Sequence, residues 1–168
     1  MEGVKMKTYV LMISSKFPKT HKRSGDPTFF KDQILTALMG YAYSHGLKEK
    51  IHTIRGNYEL WKKRFNEIDK GNACLSLRQW EGMPYRSKQI EFAKLTKDDG
   101  IGIQKLKSID PEKGYVFYVA TNNVLPVELS EIANRDGLSK SDFIEWFKGV
   151  AIYDDKPMAI IHFSKFRY

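Results

Sequence analysis

Apolar and polar positions along the chain switch between a period near two and a period near 3.6, and the switches predict the elements. Thr8 to Ile13 is rich in strand formers and predicts a first, buried strand. Phe30, Ile34, Leu35 and Leu38 then recur at helical spacing through Met39. Asp26-Pro27 supplies a cap residue and a first-position proline, so this core-facing helix is predicted to start there. Phe29-Phe30 reads as packing rather than a base-stacking platform. Tyr41 to Lys50 reads as irregular, with Gly40 and Gly46 as breakers. Gly56-Asn57 opens a second helix with Tyr58, Trp61, Phe65 and Ile68 in one stripe, and Gly71 closes it. Lys62, Lys63 and Arg64 lie off the stripe and form a basic face.

In the second half, Ala73 to Trp80 predicts a strand in which Cys74 is a small buried hydrophobe. Glu81 to Pro84 is a turn, and Tyr85 to Leu95 returns as the partner strand of a hairpin. Ile101 to Ile109 and Tyr115 to Ala120 are further strands, and Pro126 to Asn134 is a short helix stopped near Gly137. Ser139 with Asp142 three later resembles a capping box. It starts a helix that turns Phe143, Trp146 and Phe147 to the core and ends at Gly149. Met158 to Phe166 is the final strand. Strands outnumber helices and several pair as antiparallel neighbours. The expectation is therefore an α+β domain with a curled or closed sheet.

Composition narrows the class. With 168 residues, 42% hydrophobic and 13% aromatic, the chain is sized and composed as one globular domain spanning residues 1–168. No apolar run approaches the roughly 20 residues of a membrane span. The N-terminus lacks an apolar stretch of signal-peptide length. The single cysteine excludes an intrachain disulfide and a multi-cysteine metal site. The expected compartment is the cytoplasm, with no membrane partner, no cofactor and no metal. The formal charge of +8 is clustered and points to a polyanionic partner, RNA or a nucleoside.

Two basic regions stand out. Ser14 to Gly25 carries Lys16, Lys19, His21, Lys22 and Arg23 with Pro18, a loop that grips phosphates or is simply solvated. At the hairpin, Arg78, Trp80, Tyr85, Arg86 and Lys88 interleave cations with rings, as a nucleic-acid surface does and as ordinary sheet surfaces also do. The candidate chemistry lies in Gly46 to Arg55. Thr53 and Arg55 share a face of a strand, whereas Lys50 meets Thr53 only if the backbone bends between them. A cation, a hydroxyl and a guanidinium brought together would suit a phosphate, a base edge or acyl chemistry; kept apart, they are ordinary surface charges. There is no Walker loop, no zinc-protease motif and no dinucleotide fingerprint. His21, His45, His52 and His162 show no ligand spacing, and His52 is expected to point away from Thr53 and to be satisfied locally.

The runs F-F-K-D-Q-I-L, K-I-H-T-I-R and I-A-N-R-D-G-L-S, with the following D-F-I-E-W-F, resemble the ASCH domain of the PUA-like superfamily. Its signature is Gly-x-Lys-x-x-Thr-x-Arg. Here Gly46 lies four before Lys50, and Lys48 takes the nearer spacing. The resemblance implies a PUA-like β-barrel with flanking helices and an RNA-binding role. One bacterial branch hydrolyses N4-acetylcytidine with a Lys, a Thr and a Glu. By position these fall on Lys50, Thr53 and Asp136, one methylene shorter than Glu, with Arg55 as the signature arginine. Three functions are expected in order. The first is a module binding RNA or a modified nucleoside through Lys48, Lys50, Thr53, Arg55 and Asp136, extended by Arg78, Trp80, Tyr85, Arg86 and Lys88. The second is an N4-acetylcytidine amidohydrolase in which Lys50 activates Thr53. The third is a protein-interaction domain.

Overall fold

In the computed structural model, residues 3, 5–40, 46–150 and 156–168 are described. The predicted irregular stretch from Tyr41 therefore lies partly outside the described residues. Among the described residues there are two sheets and four α-helices. Strands β1 (Lys7–Met12), β3 (Ala73–Trp80) and β4 (Gln89–Leu95) form one sheet in the order β1-β3-β4. Strands β2 (His52–Arg55), β5 (Gly102–Asp110), β6 (Tyr115–Ala120), β7 (Asn123–Glu128) and β8 (Met158–His162) form the other, ordered β2-β8-β5-β6-β7.

The expected PUA-like barrel is overturned. Among the described residues neither sheet closes on itself, and the molecule is α+β with separate three- and five-stranded sheets. The strand pairing explains why. The β3–β4 hairpin pairs with β1 rather than continuing into β5, so the ladder that a barrel would need is interrupted. Strand β1 runs parallel to β3, with Leu11 opposite Leu77, which requires the long crossover that carries β2 and both early helices.

The two sheets share one core. Helix α2 (Tyr58–Asp69) buries Trp61, Phe65 and Ile68 and packs on β3, β5 and β8, bridging the sheets. Its stripe and its Asn57 cap, which accepts from Leu60 N at 3.2 Å, follow the sequence pattern. Helix α1 (Phe30–Met39) starts later than Asp26-Pro27 predicts. Its N-cap is Phe29 at φ 60°, and the Thr28 hydroxyl accepts from Phe30 N. Pro126 sits in β7, an edge strand that tolerates a missing donor, and helix α3 (Leu129–Arg135) begins only after it. Tyr85 to Lys88 belongs to the hairpin turn rather than to β4. Helix α4 (Lys140–Trp146) is capped by Ser139, whose hydroxyl accepts from Asp142 N. No helix among the described residues is long and apolar enough to cross a membrane.

Candidate functional site

Lys50 lies just ahead of β2, in a segment tied between helices. Its backbone N–H donates to Gln33 O of α1 at 3.2 Å, and Ile51 N–H donates to Arg135 O of α3 at 3.0 Å. Those two bonds aim the Lys50 side chain at the C-terminal end of α3. Asp136 caps that end, and Gly137 follows in the left-handed conformation at φ 80°. A β-carbon at 137 would overlap Gln33 Oε1, so the turn packs tightly only with glycine there.

Only 1% of Lys50 is exposed. Its ammonium donates to Asp136 O at 2.6 Å and to Asp136 Oδ1 at 2.7 Å, and it sits 4.2 Å from the centre of the Phe30 ring. One cation thus satisfies a helix-terminal carbonyl and neutralises a carboxylate that the helix dipole would otherwise disfavour. Burial pulls the Lys50 pKa below its ordinary value, with Asp136 opposing. Burial also pushes the Asp136 carboxyl up, but Lys50 and His52 outweigh it and hold the group below the usual range.

Thr53 is buried, not a hydroxyl on an open cleft surface. Its oxygen accepts from Arg55 Nη1 at 2.9 Å. The same guanidinium donates to Ile54 O at 2.9 Å and to Met12 O at 2.7 Å, fastening β2 to β1 across the sheets. Lys50, Thr53, Arg55 and Asp136 line one pocket with Phe30, Trp146 and Phe147. The lysine and the threonine therefore border the same small space, without a hydrogen bond between them. The free volume there is about 10 Å³, room for one water or one small functional group.

His52, expected to point elsewhere, extends this cluster. Its Nδ1 lies 3.5 Å from Asp136 Oδ1, and its Nε2 is 2.6 Å from the Tyr168 hydroxyl. Burial raises the Tyr168 pKa, so the phenol stays protonated beside the imidazole. Burial also lowers the His52 pKa. Opposite it on β8, His162 contacts Gln104 Oε1 at 2.9 Å, and burial lowers its pKa to about 2. Sequence spacing alone does not reveal Tyr168 as a partner, because 116 residues separate it from His52.

The predicted nucleic-acid residues divide. Trp80 and Tyr85 line a groove of about 670 Å³ with Lys16 and Lys19, on the far side of Ile13 and Ser14, which border both this groove and the inner pocket. Arg78 is half-buried and bonded to Ser76 and Gln89. Arg86 and Lys88 are exposed at the hairpin turn without lining the groove. Lys48 is exposed outside the inner pocket and lines a neighbouring hollow, so Lys50 is the lysine of the polar cluster. The basic loop from Ser14 is held in place. Arg23 pairs with Asp142 of α4 at 2.7 Å, and His21 Nε2 is 3.1 Å from Asp142 O.

Chemically, the inner cluster holds its charges paired. The Lys50 hydrogen bonds run to Asp136, and the Thr53 oxygen faces Arg55. Neither contact supplies the lysine-to-threonine bond that a general base requires. Among the described residues no group of three His, Cys, Asp or Glu side chains is placed to hold a metal ion. No protein-family model matches the chain, and no curated protein and no solved structure matches it either.

Proposed function

We propose that the chain is an RNA- or modified-nucleoside-binding module of the ASCH type. The observation that carries this reading is a wide basic and aromatic groove backed by a one-water polar pocket, with Ile13 and Ser14 bordering both. The inner pocket is far smaller than the ~300–1,000 Å³ of an ordinary small-molecule site, whereas the groove falls within that range. The groove therefore takes the body of the ligand, and the pocket takes at most one protruding group.

The amidohydrolase reading stands second, because Lys50, Thr53 and Asp136 line the same pocket. One experiment separates the two. The protein is incubated with N4-acetylcytidine and, separately, with labelled RNA at low and high salt. Salt-sensitive RNA retention without cytidine release is expected. Cytidine release that survives Thr53→Ser and disappears in Thr53→Val would replace the binding reading with the hydrolase. Absence of both activities would sink both readings.

A further inference from the structure

The hairpin turn between β3 and β4 holds one ring in an unusual posture. Tyr85 is 89% exposed, yet its backbone sits at φ 64°. A bulky residue in the left-handed region is strained, and such strain persists where the surroundings enforce it. Here Ser87 enforces it. Its hydroxyl donates to Met83 O at 2.8 Å and accepts from Gly82 N at 3.0 Å, and Arg86 N closes the turn on Met83 O at 3.1 Å. Trp80 backs the ring, with centroids 5.2 Å apart. The facing wall is the segment after β1. It is fixed by Ile13 N donating to Arg78 O at 2.8 Å and by the Thr28 hydroxyl donating to Ser14 O at 2.7 Å. Both walls thus hang from the same pair of strands, so the groove is shaped before any ligand arrives. Among the described residues that line it there are two lysines and no carboxylate.

We infer that this groove takes an unpaired base of single-stranded RNA, stacked on Tyr85 over Trp80, with the neighbouring phosphates on Lys16 and Lys19. The inference rests on the RNA-binding reading and narrows it to a strand rather than a free nucleoside or a duplex. A base inside a duplex has both faces covered and cannot stack on a protruding ring, whereas an unpaired base can. The lysines are placed for the backbone of such a strand, and the chain's charge of +8 favours a polyanion over a peptide.

The test is fluorescence anisotropy with one labelled ten-nucleotide RNA, presented single-stranded and as its duplex. Wild type is compared with Tyr85→Asn and Tyr85→Trp. Asparagine tolerates the left-handed backbone, so that variant removes the ring without adding strain. The single strand is expected to bind more tightly than the duplex. Tyr85→Asn should weaken it by about 5- to 150-fold, the range for losing one base-stacking ring, while Tyr85→Trp retains it. Cooperative melting of Tyr85→Asn confirms that the loss is local. Equal affinity for strand and duplex, unchanged binding in Tyr85→Asn, or displacement of the strand by a proline-rich peptide with higher affinity would overturn the inference. The first two outcomes leave RNA binding itself intact. Failure of wild type to bind either RNA form would instead overturn the RNA-binding reading and the inference with it.

Discussion

Lys50 and Asp136 are a buried ion pair, and at the residue scale such pairs are costly to break from one side. Lys50→Met would leave a buried carboxylate at the end of α3 with its main cation gone. A loss of about 3–5 kcal/mol in unfolding free energy is expected. Lys50→Met combined with Asp136→Asn should recover most of that loss, because the double variant buries no unpaired charge at this place. Urea denaturation of the two single variants and the double variant measures the coupling. Additive losses would mean that the pair is not the unit described here. The lysine, threonine, arginine and aspartate were legible as residue types at a spacing. Their pairing was not, because it depends on the hydrogen bonds to the Gln33 and Arg135 carbonyls that fix the segment ahead of β2. The partners of His52 were not legible either. A strand's alternation predicts a side chain pointing away from Thr53, but it does not show that the C-terminal turn of α3 waits on that side.

At the scale of elements, the basic loop owes its order to α4. Arg23 and His21 reach Asp142, which is also the residue whose backbone N–H the Ser139 cap satisfies. Ser139→Ala should lower stability by about 1 kcal/mol, read as a shifted urea midpoint at unchanged slope. An unmoved midpoint would show that the cap contributes nothing to anchoring α4. Capping and the apolar stripes of α2 and α4 were readable because they are local signals. The start of α1 was not, since Asp26-Pro27 has the composition of a helix start but Thr28 and Phe29 take that role. Strand β7 was hidden by Pro126, which is acceptable only because β7 lies at a sheet edge. Edge or centre is a property of the finished sheet and not of the segment.

For the whole molecule, local pattern identified strands without saying which would pair. The excess of strands suggested a curled or closed sheet, but the β3–β4 hairpin joins β1 in a separate sheet. Burial of two neutral histidines has a global consequence in acid. Burial lowers the folded pKa of both His52 and His162, the latter to about 2, whereas the unfolded value is about 6.5. Below about pH 6.5 the unfolded chain therefore binds more protons, and stability falls as pH falls, by up to about 1.4 kcal/mol per pH unit for each group. Asp136 adds a further loss below about pH 3.9, since its folded pKa is held down and its ionised form is the stabilising one. His162→Gln should flatten the pH 4–6 part of a stability profile by about one proton; an identical slope in the variant would contradict a neutral buried His162.

The central claim, that this molecule uses its charge to hold RNA, is tested most directly by the salt dependence of binding to a single-stranded RNA. Plotted as log affinity against log salt concentration, wild type should fall linearly. Replacing Lys16 and Lys19 together by Ala should make the slope shallower by about 1.4, the value for two single-strand phosphate contacts. A slope near zero in wild type, or one that the double replacement leaves unchanged, would contradict the account.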